Sequence, residues 1–264
     1  MTTLAIHPLF ADGALQFAFQ KATTEGKFTV GALFVLSFLS WTIIITKYRQ
    51  LWIARRAAKK FFAEYATTRD PLDIKRKGSA FGGAPAYRLY IRGADELDYH
   101  IEHNPITLKG QVRVNQAAFE AVKVTLEESA ATQAMALEKG MIVLSTAVAG
   151  GPFIGLLGTV WGVMDTFAGI ARANSASLTA MAPGVAGALI ATVVGLLVAI
   201  PAMFAYNFMV TSIRAITQEL DGFASRYATQ IEHAYVDNRD IEDKIAGALR
   251  RAGQPAEPEV AEAS

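Results

Sequence analysis

Three long apolar stretches without charged side chains divide this chain. Residues 28–46 form the first, residues 140–164 the second, and residues 173–213 the third. A helix needs about 20 apolar residues to cross the hydrocarbon core of a bilayer. The third run is longer than one crossing needs, and its first ten residues are rich in Asn, Ser and Thr. We therefore predict transmembrane helices over 28–46, 140–167 and 183–210, with a loop over 168–182.

The polar segments between and after the spans also have helical patterns. We predict a helical domain over 47–139, in which a helix over 111–139 continues into the second span because no breaker precedes Gly140. Beyond the third span, apolar residues three or four apart over 213–235 predict an amphipathic helix within 211–251. This stripe packs within its own subunit or contacts a neighbouring one. Residues 252–264, rich in Glu and Pro, are typical of a disordered tail.

Lys and Arg near the span ends predict the orientation. Six basic residues follow the first span over 47–60, Lys139 precedes the second, and Arg214 follows the third. The predicted loop 168–182 has only Arg172. The N-terminus is therefore expected outside, and the domain 47–139 and the C-terminus in the cytoplasm. We predict no cleavable signal peptide, because the first 20 residues lack a basic n-region and a long apolar core. Within the N-terminal segment 1–27, part of the chain can form an amphipathic helix at the outer interface, and residues 1–8 are equally typical of a poorly ordered terminus.

Small residues share one face of each later span. On the second span they recur every three or four positions, and the third span has a comparable set of glycines with Ala188 and Ala191. Such faces let helix backbones approach closely in lipid. The predicted packing glycines are Gly151, Gly155, Gly158, Gly162, Gly184, Gly187 and Gly195.

Two threonines are the main polar groups expected at mid-depth. Thr159 lies near the middle of the second span and Thr192 near the middle of the third. Each hydroxyl either bonds to a carbonyl of its own helix or lines a polar seam. No Asp, Glu, Lys, Arg or His lies inside a span, and Asp165 lies at the outer end of the second. If ions cross the membrane here, the titrating carrier must therefore come from a partner. Pro201, inside the third span, predicts a kink.

Composition excludes several functions. The chain has 264 residues, 52% hydrophobic, with a net charge of +1 and no cysteine. We expect no nucleic-acid partner, and neither disulfides nor thiolate metal sites are possible. His100 and His103 have the spacing of two metal ligands, but no carboxylate is clearly placed beside them. No nucleotide-binding loop or catalytic triad is present, so we predict no cofactor, no metal and no enzymatic activity.

Two motifs in the later spans are long and distinctive. Gly–Leu–Leu–Gly–Thr–Val–Trp–Gly–Val–Met occupies 155–164, and Ala–Pro–Gly–Val–Ala–Gly–Ala–Leu–Ile–Ala–Thr occupies 182–192; the pattern continues through Gly195, 199–202 and 206–207. With the three-span topology, they resemble the ExbB/TolQ/MotA family of proton-driven motor subunits. ExbB and TolQ are the better match, since the MotA branch has four spans.

The resemblance implies an all-α integral membrane fold of long helices, with cytoplasmic extensions, assembled as a homo-pentameric ring in the inner membrane with a periplasmic N-terminus. The ring would surround ExbD/TolR-like single-span partners, whose aspartate faces Thr159 and Thr192. The energy of proton flow would reach a TonB/TolA-type protein for outer-membrane transport or Tol-Pal envelope maintenance. One position departs from the ExbB and TolQ pattern, because Gly187 replaces a glutamate. The alternative is a non-conducting scaffold for partner helices. An unrelated transporter or membrane enzyme has less in its favour.

Overall fold

A computed structural model describes residues 24–103, 105–108, 111–173 and 178–236 of the chain. The predicted tail over 252–264, and nearly all of the predicted N-terminal segment, lie outside these residues. The described elements, in chain order, are α1 Thr24–Tyr65, α2 Asp73–Lys77, α3 Pro85–His103, β1 Ile106–Leu108, β2 Gln111–Arg113, α4 Gln116–Glu138, α5 Met141–Ala173 and α6 Leu178–Tyr235.

Three of the described helices are long and apolar enough to cross a membrane. They cover Glu25–Tyr65, Met141–Arg172 and Gly184–Tyr235, and each includes most or all of one predicted span. Large apolar side chains on them have no cover within the chain: Phe38 is 74% exposed, Phe153 70% and Phe204 68%. Such side chains suit contact with lipid. The chain is a multi-pass membrane protein.

The structure corrects the all-α prediction to a mostly helical fold. Strands β1 and β2 form a short antiparallel hairpin, with Ile106 opposite Arg113. Val114 then forms a parallel bridge with Val236, and its N–H donates to the Tyr235 carbonyl over 2.8 Å. The helix predicted over 111–139 therefore begins only at Gln116, because the preceding residues are extended.

Helix α4 has separate start and stop signals at its two ends. At its start, the Asn115 side chain accepts a hydrogen bond of 2.7 Å from the Ala118 N–H, as expected of an N-cap. At its end, Gly140 has φ +88°, a backbone conformation that favours glycine. The prediction that this helix continues into the second span is therefore wrong, since α4 ends at Glu138 and α5 begins at Met141.

Helical structure also extends into the predicted loop 168–182. Helix α5 continues to Ala173 and α6 begins at Leu178, so only residues 174–177, outside the described residues, separate them. At the other end, α6 ends at Tyr235, short of the predicted limit at residue 251, and residues 237–251 are not described.

An aromatic core joins the polar ends of the long helices. We call this part of the molecule the polar domain; it comprises α2, α3, the hairpin and α4 with residues 47–65 of α1 and 211–236. Phe61, Tyr90, Phe223 and Tyr227 are completely buried there. The rings of Phe61 and Phe223 meet edge to face, with centroids 5.4 Å apart. The apolar stripe over 213–235 belongs to this core, which supports packing within the subunit rather than against a neighbour.

Candidate functional site: the seam between α5 and α6

Helices α5 and α6 come into backbone contact through glycines. A Cβ added to Gly155 would lie 2.9 Å from the Ala191 carbonyl oxygen and 3.0 Å from the Thr192 Cα. A Cβ on Gly195 would lie 2.6 Å from the Gly151 carbonyl oxygen. Backbone atoms of a helix cannot move aside as a flexible side chain can, so these two positions accept only glycine without moving a helix.

Other small residues extend this contact along both helices. A Cβ on Gly151 would lie 3.1 Å from the Gly195 carbonyl oxygen, and one on Gly162 would lie 2.7 Å from the Ala188 Cβ. Helix α1 closes the same region, because a Cβ on Gly158 would lie 2.9 Å from the Thr29 Oγ1. We call this contact the seam; its members are Gly151, Gly155, Gly158, Thr159 and Gly162 of α5 with Ala188, Ala191, Thr192 and Gly195 of α6.

The remaining predicted positions are Gly184, Gly187 and Pro201 of α6. A Cβ on Gly184 would overlap the Thr166 hydroxyl, which already donates to the Gly162 carbonyl over 2.8 Å. Gly187 is half-buried on α6. Pro201 is half-buried and lies within the continuous helix α6, and a kink at this proline stays a prediction.

The two predicted threonines face each other across the seam. The hydroxyls of Thr159 and Thr192 are in direct hydrogen-bond contact. The Thr159 hydroxyl also lies 3.2 Å from the carbonyl oxygens of Gly155 and Ala188, and the Thr192 hydroxyl lies 3.2 Å from that of Gly155. The hydrogen bonds are therefore not confined to one helix, because each hydroxyl also lies within hydrogen-bond distance of a carbonyl of the opposite helix.

This cluster has more acceptors than protons. Each hydroxyl carries one proton and can also accept. Thr159 can donate to Ala188 while Thr192 donates to Thr159. Alternatively, Thr192 can donate to Gly155 while Thr159 donates to Thr192. Both arrangements use the contacts found in the structure, so the pair can reverse the direction of its hydrogen bonds without a rotation of either helix.

The seam is polar but carries no group that titrates near neutral pH. Residues 140–164 and 173–213, which contain the whole seam, have no Asp, Glu, Lys, Arg or His. Asp165 follows the first of these stretches on α5, and its side chain is exposed. In the described ranges no group of three or more His, Asp or Glu could hold a metal ion. His100 and His103 do not converge on one site. His100 Nε2 lies 3.3 Å from Glu96 Oε1, and His103 Nδ1 lies 2.9 Å from the Tyr99 carbonyl oxygen.

A buried lysine ties α1 to the α4–α5 junction, which sequence reasoning missed. Lys47 is only 6% exposed. Its Nζ donates to the Leu137 carbonyl over 2.9 Å and to Gln50 Oε1 over 2.8 Å. A cation at the C-terminal end of a helix satisfies a free carbonyl and matches the helix dipole. The sequence showed Lys47 only as one member of a basic cluster.

A second polar network, also missed, closes the polar domain. Asp70 accepts hydrogen bonds from the Tyr235 hydroxyl over 2.8 Å and the Leu72 N–H over 2.8 Å, and it pairs with Arg76 at 2.8 Å. Burial alone would raise the pKa of Asp70. The bonds from Leu72 and Tyr235 and the Arg76 charge outweigh it, and they hold the pKa of Asp70 below its usual value. The network joins the α1–α2 turn to the end of α6.

The fold and the seam define a multi-pass helical membrane protein whose last two apolar helices enclose a hydroxyl pair. Residues 96–222, which include the seam, match the family described as MotA/TolQ/ExbB proton channel family. A Tol-Pal system protein TolQ from Haemophilus influenzae is 31% identical over 221 residues, which cover 80% of this chain and 90% of that protein. The chain belongs to the MotA/TolQ/ExbB proton channel family.

Relatives named for biopolymer transport are similar to about the same degree. A biopolymer transport protein ExbB from Xanthomonas campestris is 31% identical over 227 residues, covering 79% of this chain and 86% of the relative. Another ExbB, from Pseudomonas putida, is 32% identical over 198 residues. That alignment covers 74% of this chain but only 56% of the longer relative. The identities do not separate the TolQ type from the ExbB type.

Proposed function

We propose that this chain is the inner-membrane subunit of a motor driven by the proton-motive force. Five copies form a ring around ExbD/TolR-like single-span partners, with each N-terminus in the periplasm. The motor passes energy to a TonB/TolA-type protein for outer-membrane transport or envelope maintenance. Family membership supports this role. The observation that carries it is the pair Thr159 and Thr192, a hydrogen-bonded hydroxyl site in the apolar sections of α5 and α6, which have no titrating group at the depth of this pair.

The hydroxyl pair suits a carboxylate brought by a partner. A charged carboxylate in the hydrocarbon region is costly, and hydrogen bonds from hydroxyls lower that cost. Because Thr159 and Thr192 donate within the seam, one of them can turn its proton to the partner when the carboxylate is charged. When the carboxylate takes up a proton, the hydroxyls return to each other. The partner thus supplies the titrating group and this chain supplies its changing hydrogen bonds.

The free energy released by proton transfer is enough to rotate the ring around its partner between similar packing arrangements. One proton crossing 100 mV releases about 2.3 kcal/mol, and each pH unit adds about 1.4 kcal/mol. The glycines of the seam are used inside one chain, between α5 and α6. Contacts between subunits would therefore use the exposed apolar faces of the spans, and the α5–α6 pair would move as one unit.

Proton flux into liposomes tests this function. The ring alone and the ring with its single-span partner are reconstituted under an imposed potential, and flux is followed with a pH-sensitive dye. We expect flux only with the partner, and its loss when the partner's intramembrane aspartate is changed to asparagine. An assembled complex without flux under any potential would contradict the motor.

Gly187 favours a second candidate, the non-conducting scaffold, because the family's usual glutamate is missing there. Thr192→Ala separates the two. A motor loses proton-coupled work, whereas a scaffold still assembles and supports its partner. Gly187→Glu provides the converse test. If the natural complex does not conduct protons and the Gly187→Glu complex does, the natural chain is a scaffold. If the Gly187→Glu complex conducts no faster than the natural complex, the result supports a motor that relies on the partner's carboxylate.

A further inference from the structure

A groove of about 390 Å³ opens where α1 leaves its apolar section, between α1, the start of α3 and the end of α4. Arg49 and Gln50 line it from α1, Arg88 from α3 and Gln133 from α4, with Ile53 and Leu137 among its apolar residues. Both arginines are exposed. We call this site the basic groove.

The basic groove has positive charge and no carboxylate in its lining. Within the described residues, the guanidinium groups of Arg49 and Arg88 have neither a hydrogen bond nor an ion pair. The other two large grooves differ. The α3–α4 groove, which Arg88 also lines, contains the carboxylates Asp95 and Glu128, although neither forms an ion pair with Arg88. The α4–α6 groove is lined by four carboxylates and one lysine. Two unpaired guanidinium groups in one cavity form a site for an anion.

The depth of the groove matches the headgroup layer. The apolar section of α1 ends at Thr46, which lines the groove. With a rise of about 1.5 Å per residue, Arg49 lies about 4.5 Å beyond it. The polar layer on each side of a bilayer is about 5–8 Å thick. Arg56 and Lys60, about 15–21 Å beyond Thr46 on the same measure, lie past this layer. Arg49 is therefore the α1 arginine placed at the level of lipid phosphates.

An exposed apolar face of α1 leads into the groove. Phe38 is 74% exposed and Ile45 is 55% exposed. Their positions lie eleven and four residues before Arg49, so all three fall on one helical face. A ligand that fits both parts has an anionic group beside Arg49 and hydrocarbon beside Phe38 and Ile45. A soluble phosphate matches only the first part.

We propose that the basic groove binds the phosphate of an anionic phospholipid. Arg49 and Arg88 pair with the phosphate oxygens, which guanidinium groups can bind in bidentate fashion. Gln133 and the amide N–H₂ of Gln50 donate to the remaining oxygens, since the Gln50 Oε1 already accepts from Lys47. The acyl chains follow the apolar face of α1. Assignment of this lipid to the cytoplasmic leaflet rests on the proposed function.

Native mass spectrometry of the purified full chain tests the site. The protein in detergent is titrated with phosphatidylglycerol or with phosphatidylcholine, and bound lipid is counted per subunit. We expect preference for phosphatidylglycerol, reduced about fivefold by Arg49→Gln and about fivefold by Arg88→Gln, in line with one basic group near a membrane surface. Arg55→Gln removes the same charge from the exposed side of α1 outside the groove and serves as the matched control.

Each further outcome decides the proposal. Loss of preference in the glutamine variants, a smaller loss in Arg49→Lys and Arg88→Lys because lysine keeps the charge but not the bidentate geometry, and no loss in Arg55→Gln support it. An equal loss of phosphatidylglycerol preference in Arg55→Gln would show a general attraction to acidic lipid and would overturn the basic groove as the binding site. Displacement of the lipid by inorganic phosphate at equal concentration would overturn the lipid assignment. Thermal melting checks that each variant is folded. No partner or proton gradient is needed, so the result is independent of whether the complex conducts protons.

Discussion

The seam and the aromatic core pack two sections of helix α6 by opposite means. In the seam, Gly155 and Gly195 bring two backbones into contact. In the polar domain, Phe61, Tyr90 and Phe223 fill the space between helices with large rings. The difference follows from the solvent. Water drives the burial of large apolar side chains, whereas in lipid helices associate by close van der Waals contact and interhelical hydrogen bonds.

This division separates stability from movement. Interlocked aromatic rings resist sliding, because each ring sits among several neighbours. A seam of glycines with one hydroxyl pair has no large side chain to lock it, and its hydrogen bonds can reverse in place. We therefore expect the polar domain to hold the subunit together while the seam takes part in the proposed proton cycle.

The largest loss of stability is expected in the aromatic core. Phe61→Ala removes a completely buried ring that contacts Phe223 and Tyr90, and such truncations cost about 3–5 kcal/mol of unfolding free energy. Tyr99→Ala, at a 52% exposed position, is the control. Thermal melting in detergent, followed by circular dichroism, measures both. A small effect of Phe61→Ala would show that the core does not anchor the helices.

Overpacking the seam comes next. Gly155→Leu places a side chain against the backbone of α6, and we expect a loss of about 1–3 kcal/mol or more, with separation of α5 from α6. Gly150→Leu is the matched control, since nothing lies within 4 Å of a Cβ there. Melting temperatures and ring size by size-exclusion chromatography compare the two. Equal behaviour would mean that α5 and α6 are not held by backbone contact.

A smaller effect on stability is expected from the hydroxyl pair. Hydrogen bonds between membrane helices average about 0.6 kcal/mol in double-mutant cycles. The cycle with Thr159→Val and Thr192→Val should give a coupling of that order. The same cycle with Thr192→Val and Thr211→Val should give none, because Thr211 bonds only to the Asn207 carbonyl of its own helix. A coupling energy near zero for Thr159 and Thr192 would contradict a hydrogen bond between the two hydroxyls.

The pH dependence of the polar domain should be the smallest effect. Because the folded protein lowers the pKa of Asp70, this group stabilises the fold above its unfolded pKa of about 3.9. That contribution is lost as pH falls through the lower, folded pKa. Melting temperature should therefore decline less between pH 5 and pH 3 in Asp70→Asn than in the native protein. Asp221→Asn is the control. If the melting temperature of Asp70→Asn declines as much as that of the native protein, Asp70 does not contribute to the pH dependence of stability.

The sequence predicted the spans, the packing faces and the threonines because these depend on local patterns. A long stretch without charged residues indicates a span, and recurring glycines indicate a packing face of a helix. Neither pattern says which helix packs against that face. The partner of each face needed the structure: Gly158 meets Thr29 of α1, far away in the chain. The same holds for Lys47 and Leu137, and for Asp70 and Tyr235. The hairpin was missed because three-residue strands give little periodicity, and the bridge between Val114 and Val236 joins residues far apart in the chain.

Proton flux through the complex of Thr192→Val with its partner is the most direct test of the central claim. The control is Thr211→Val, and both rings must first show native mass and melting. The account predicts that Thr192→Val loses most of the flux while its stability stays near that of the control. Native flux in an assembled Thr192→Val ring would contradict it, because the hydroxyl pair would then be only a contact between two helices.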